Sequence, residues 1–320
     1  MPIRARKQLL PRLLQWLPRP VRHAVLRRKA TLAREALQDV EVEIAHTREG
    51  YLDAFRLVHD AYAWRGWITP QANGVYLTQH HALPQTTVFV LRQAGRCVAT
   101  VSLVLDSGLG LPFERTFPEM AALRGPNRVV AEIGSLAVVP ELRGTGVTIC
   151  LFAALWRYAR HLAGVTDLVI AVDAHVVDHY EGLFGFKAMG KPRSYQGFGE
   201  GVQALEEDPV AGLHQDLSTV DDWSAVYDFQ PRREALHVWE LASAPFPSAW
   251  EKYPPHEGGS DLARFKLPRH LFQEFFVGPD AMAPLEPATQ DYVLHFRTPQ
   301  TVTVPPQQRL AWLGLEPSAA

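Results

Sequence analysis

One carboxylate stands inside an otherwise apolar run, Glu132 in VVAEIGSLAVV. The run alternates as a strand, which puts Glu132 with Gly134 and Leu136 on one side and Ile133, Ser135 and Ala137 on the other. Apolar surroundings strip solvent from the charged carboxyl and raise its pKa toward the range of a general base. The structural alternative is a glutamate paired with Arg128 or Arg143. Eleven residues on, Arg143-Gly144-Thr145-Gly146-Val147 leads into the N-terminus of a helix. Glycines there allow positive φ and close backbone approach, and the free N–H groups and dipole of a helix start favour a phosphate. The turn is not a dinucleotide fingerprint, lacking the third glycine and the later acidic residue, nor a P-loop, since no GK[ST] follows.

His175 and His179 stand four apart, a spacing that would place two imidazoles on one helical face, but a metal would need a third ligand, and no metal is expected. Cys97 and Cys150 belong to no CxxC or Cys/His cluster, so neither a zinc site nor a disulfide framework is indicated. The reading is a reducing cytoplasm.

Those groups need elements to hold them. Val40 to His46 alternates as a strand, and Tyr51 to Trp64 is a helix with Tyr51, Phe55, Val58 and Tyr62 on one side. TTVFVLRQAGRCVATVSLVLDS is a hairpin turning at Gln93 to Gly95, and LPFERTFPEMAALRGPNR is a helix bounded by prolines and Gly125. After the Glu132 strand and the glycine turn come a long helix ending at Gly164, the strand DLVIAV and the short helix VVDHYEGLFGF. The spacing predicts helices at Leu217 to Phe229 and Arg232 to Ala242 and a strand at Tyr292 to Phe296, in an aromatic, proline-punctuated region.

The stretch VVAEIGSLAVVPELRGTGVTICLFAALWRYA resembles the acyl-donor motif of the GCN5-related N-acyltransferases, an Arg/Gln-x-x-Gly-x-Gly/Ala turn around a pantetheine phosphate. Onto it fall Arg143, Gly146 and Thr148, with Gly144, Thr145 and Val147 between; Thr148 departs from the usual Gly or Ala. AFRLVHDAYAWRGWI, SLVLDSGLGLPFE, NRVVAEIGSLAVVPELRG and AHVVDHYEGLFGF narrow the resemblance, over about residues 40 to 200, to long-chain N-acyl amino acid synthases of the N-acyl tyrosine synthase type, relatives of acyl-homoserine lactone synthases. It implies a mixed α/β acyltransferase fold, its central sheet splayed at the donor cleft and flanked by helices. Residues 1–38 would be a basic leader, 39–210 the acyltransferase domain and 211–320 a C-terminal extension.

The implied reaction is attack of a free amine on a thioester. It needs a base for the amine, donors for the tetrahedral oxyanion and a proton for the thiolate. The resemblance gives Glu132 the first task and the backbone around Leu136 to Val138 the second. Tyr180 matches a tyrosine whose phenol can donate to the leaving sulfur. His175 matches a histidine that would orient substrate or cap the short helix. An amino acid acceptor brings a carboxylate, for which Arg65, Arg124 and Arg128 are candidates, Arg128 favoured by lying four residues before Glu132. Arg65 could equally pack on Trp64 or Trp67. No tightly bound cofactor is expected; acyl-phosphopantetheine on acyl carrier protein, or acyl-coenzyme A, is the co-substrate. A coenzyme A-dependent acetyltransferase of a small amine and a non-catalytic acyl-carrier or lipid-binding module remain the rival readings.

The chain has 320 residues, 47% apolar and 21% charged, enough for a sizeable core. Its net charge of −2 gives no support to nucleic-acid coating, yet residues 1–38 carry ten basic side chains against Glu35 alone, a net +9 that leaves −11 for the rest. With Leu9, Leu10, Leu13, Leu14 and Leu17 at helical spacing, this leader could meet an acidic carrier protein or an anionic membrane, or be a solvated helix packed on the domain.

Overall fold

In the computed structural model the description covers residues 16–30, 40–83, 85–196, 209–217, 267–277 and 280–285, with Thr289 and Val293. Pro18 starts the first helix, α1 (Arg19–Ala30), its carbonyl accepting from the N–H groups of Val21 and Arg22. The alternating stretch that follows is β1 (Val40–Ile44). Thr47 caps α2 (Arg48–Arg65) by accepting from Gly50 N at 3.1 Å, and Gly66, at φ 76°, closes it in the left-handed region. The hairpin forms as β2 (Thr86–Gln93) and β3 (Arg96–Leu105), turning through Ala94 and Gly95 at φ 49° and 78°, the two positive values of a type I′ turn.

The proline-bounded stretch is not the single helix its pattern predicts. Pro118 lacks an N–H to carry a helix onward, so the chain makes α3 (Pro112–Thr116) and then a separate 3-10 segment, Pro118–Leu123. Beyond it lie β4 (Val130–Val138) and α4 (Val147–Arg157), which passes into one π-helical turn, Tyr158–Leu162. β5 (Asp167–Asp173), α5 (Val177–Phe184), β6 (Lys187–Arg193), β7 (Val210–Asp216) and α6 (Arg269–Phe276) complete the described elements. The helices expected at Leu217 to Phe229 and Arg232 to Ala242 lie, Leu217 apart, outside the described residues. Of the strand expected at Tyr292 to Phe296 only Val293 is described, and it is helical and fully buried.

The strands form one seven-stranded mixed sheet in the order β1-β2-β3-β4-β5-β7-β6. β1 to β4 are antiparallel neighbours, β4 and β5 run parallel, and β7 pairs antiparallel with both β5 and β6. One face packs Leu103, Ala131, Ile133 and Ile170 against Leu151, Leu155 and Phe184 of α4 and α5. On the other, Val88 and Val90 meet Phe55 of α2 and Phe275 of α6, whose rings stand 6.0 Å apart, and Val104, Val130 and Val169 cover Phe113 and Phe117. The sheet thus continues through Asp216, and α6 packs on α2, so residues past 210 contribute to both the sheet and its cover.

Candidate functional site

The sheet comes apart between β4 and β5. Their parallel ladder holds only from Val130 to Glu132 against Asp167 to Val169. On the opposite edge of β4, Gly134 faces Ser102 and Ala137 faces Thr100, so Ser135 and Leu136 together oppose Val101. This is a β-bulge, with Ser135 at φ 50°. Twisted there, β4 turns away from β5, and its N–H and C=O groups beyond Glu132 lose their β5 partners. A cavity of about 580 Å3 opens in the gap, lined by Ile133 to Val138 on one side and Ile170 to Asp173 on the other.

The bulge also corrects the expected alternation. Glu132 and Gly134 stay in phase with Val130, but Leu136 packs toward α4 with Ile133, and Ala137 packs against Val58 and Ala61 of α2. One inserted residue exchanges the two faces.

Glu132 is 5% exposed, and burial pushes its carboxyl up to about 8, opposed only by the N–H of Phe113 donating to Oε2 at 2.6 Å. Neither Arg128 nor Arg143 pairs with it. Arg128 is committed to Asp167 and to Asp216, at the end of β4 away from the bulge, and does not line the cavity. Its expected role toward an acceptor carboxylate is thereby corrected: the spacing to Glu132 is right, but the guanidinium faces two acids. Arg124 is likewise held by Asp106 and Glu114.

Arg65 does line the cavity, its Nη1 donating to Asp173 Oδ2 at 2.7 Å and its guanidinium 4.6 Å over the Trp67 ring. Arg143 lines it too, with Nε donating to Val138 O at 3.1 Å and its guanidinium 4.9 Å over Trp64. Burial, reinforced by Arg65, lowers the pKa of Arg143 from its usual value. From the turn that Arg143 opens, Gly144 and Thr148 face the cavity. Thr145 instead donates to Leu142 O at 2.7 Å, and Val147 is buried. Gly144 and Gly146, at φ 80° and 88°, make the turn that only glycine takes freely. The first bond inside α4 runs from Ile149 N to Gly146 O, so the amides of Gly146, Val147 and Thr148 form the free helix start that suits an anion.

Across the cavity, Tyr180 is packed among Phe152, Phe184 and Phe186, and burial, then Asp173, drives its phenol well above the usual value. It is protonated throughout the working pH range. His175 and His179 both line the cavity, but the His179 ring packs edge-on to Tyr180 and Phe184. Among the described residues the group able to hold a metal is His23, Asp178 and Glu181, whose carboxylates Arg19 and Arg22 already engage.

Several lining residues have no distinguishing sequence signal. Asp173 ends an apolar strand, Tyr62 is one of several aromatic residues on one side of its helix, and Arg22 and Leu26 of α1 form part of the wall.

Residues 53–208 match the family model described as N-acyl amino acid synthase FeeM. Similar solved structures include FeeM, an N-acyl amino acid synthase from uncultured soil microbes (22% identity, 56% of this chain and 92% of that one, TM-score 0.47). BjaI, a coenzyme A-dependent acyl-homoserine lactone synthase, is 17% identical over 63% of this chain and 98% of its own (TM-score 0.46). A point mutant of the spermidine N-acetyltransferase SpeG from Vibrio cholerae is 16% identical over 58% and 98% (TM-score 0.39). No curated protein matches. No helix of the described residues is long and apolar enough to cross a membrane.

Proposed function

We propose that this chain, whose residues 53–208 match the N-acyl amino acid synthase family model, is an N-acyltransferase that moves a long acyl chain from acyl carrier protein to the amino group of an amino acid. The observation that carries this reading is Glu132, buried, pushed up to about 8, and set one residue before β4 and β5 part. The donor's phosphate lies against Arg143, Gly144 and Thr148 at the start of α4, and its pantetheine arm follows the open edge of β4. Arg65 meets the acceptor carboxylate, exchanging part of its bond to Asp173.

The amine attacks the thioester carbon, forming the C–N bond, and gives its proton to Glu132 directly or through a water. The oxyanion is held by backbone N–H groups around Leu136 to Val138. Collapse breaks the C–S bond, the Tyr180 phenol donating a hydrogen bond to the leaving sulfur. The thiolate then takes the proton held on Glu132, through solvent, leaving enzyme, amide and free thiol. The basic leader, residues 1–38, would draw an acidic carrier protein to a cytoplasmic enzyme.

The test is turnover. Purified protein is supplied with acyl carrier protein thioester or acyl-coenzyme A and a panel of amino acids, and products are read by mass spectrometry. An N-acyl amino acid from the carrier thioester is expected; its absence with both donors overturns the reading. Glu132→Gln should cost about 10²–10⁴ in kcat/KM. In the wild type kcat/KM should rise with pH through about 8, where Glu132 ionises, and the variant should lose that limb.

A further inference from the structure

Trp64 stands near the end of α2 and is 65% exposed, so its burial adds little to the fold. Among the described residues its ring contact is with Arg143, whose guanidinium stands 4.9 Å from the ring centroid. Arg143 differs from the other arginines of the cavity. Arg22 pairs with Asp178 at 3.0 Å and Arg65 with Asp173 at 2.7 Å, but among the described residues no carboxylate pairs with Arg143. Glu141, two residues before it, lies 3.6 Å from Arg96 instead. What holds the Arg143 guanidinium is Val138 O, accepting from Nε, and the Trp64 ring. Burial and the like charge of Arg65 both work against its charge, and an anion would relieve both.

We propose that Trp64 is the positioning residue of the donor-phosphate site: its ring aims the Arg143 guanidinium at the start of α4 without neutralising it. This rests on the assignment of Arg143 to the donor's phosphate. A carboxylate in place of the indole would hold the arginine as firmly, but it would cancel the charge and compete with the phosphate for the same N–H groups. An aromatic face attracts a guanidinium through its quadrupole and takes none of its donors. With Nε given to Val138 O, the N–H groups of both Nη atoms stay available to phosphate oxygens. The free amides of Gly146, Val147 and Thr148 at the start of α4 share the same anion.

The full chain is titrated calorimetrically with 4′-phosphopantetheine and with pantetheine, which differ only in the phosphate. Wild type should bind the first about tenfold more tightly than the second, and Arg143→Ala should erase that preference. Trp64→Leu should reduce the preference about fivefold and leave the affinity for pantetheine unchanged, while Trp64→Phe, which keeps an aromatic face, should retain most of it. A merely structural role for Trp64 would weaken both ligands together and lower the heat-unfolding midpoint. If Trp64→Leu keeps the full preference, or weakens both ligands alike, the proposal is overturned and the phosphate assignment of Arg143 stands on Arg143→Ala alone. If wild type shows no preference, or Arg143→Ala retains it, that assignment falls and the proposal falls with it. None of these outcomes depends on acyl transfer.

Discussion

Glu132 can serve as a base only if a molecule in the cavity can reach it, and the way through is the side chain that Gly134 lacks. Glu132 itself is behind the lining, whereas Gly134 is part of it. A Cβ built on Gly134 would stand 3.9 Å from Glu132 Oε1, so the glycine leaves the carboxylate one empty side chain from the cavity. Its φ is not positive, so space and not conformation calls for glycine here. Gly134→Ala adds an atom at ordinary contact distance and should reduce kcat/KM less than tenfold. Gly134→Val fills the passage and should cost about as much as losing the base, on the order of 10²-fold or more, with the KM for the thioester donor little changed. Steady-state kinetics on both variants, with circular dichroism to verify folding, check this. Equal activity of Gly134→Val and wild type would mean that the amine gives its proton to another group.

The elements around the site are mostly readable because each has a local physical signature: the alternation of β1, the Ala94-Gly95 turn, the one-sided apolar stripe of α2, the glycines before α4. Glu132 stands out for a reason equally local, a carboxylate within an apolar strand. The bulge leaves no such trace, since Ser135 is not a residue that announces positive φ, and the face each later residue takes depends on it. Arg128 and Arg65 show the other limit. Both are arginines near the strand ends, and only the tertiary partners, Asp167 and Asp216 for one, Asp173 and Trp67 for the other, decide which reaches the cavity. The bulge can be tested through its backbone. Ser135→Gly removes the cost of a left-handed non-glycine residue and should leave stability equal or raised by about 1 kcal/mol. Ser135→Val puts a β-branched side chain at φ 50° and should cost about 1–3 kcal/mol, or flatten the bulge and close the splay. Denaturant titration reads the first effect, and loss of donor protection against heat reads the second. A Val variant as stable and as protected as wild type would show that the bulge tolerates any residue.

Over the whole molecule, buried titratable groups set opposing pH limits on folding. His80 and His81 are buried and neutral, lowered by burial to about 4 and about 3, the first donating from Nε2 to Gly110 O and the second bridging Thr78 and Ser102. Between those values and the ordinary 6.5 the unfolded chain binds more protons than the folded one, so stability rises with pH up to about 6.5. Glu132 acts in the opposite sense. With its carboxyl at about 8 against 4.5, the folded protein holds the extra proton, and stability falls as pH rises through that interval. Of these three groups the two histidines, joined in direction by the buried His179, outweigh the carboxyl below pH 6.5 and the carboxyl alone acts above it, so the unfolding free energy should peak near pH 6 to 7. Glu132→Gln keeps a neutral group of the same shape at the Phe113 amide and should remove the alkaline decline while leaving the acid limb in place. Urea titrations from pH 4 to 9 on both proteins decide it. A wild type that declines above pH 7 no more than the variant would mean that Glu132 is already ionised in the folded protein, and would take with it the reason for choosing this carboxylate as the base.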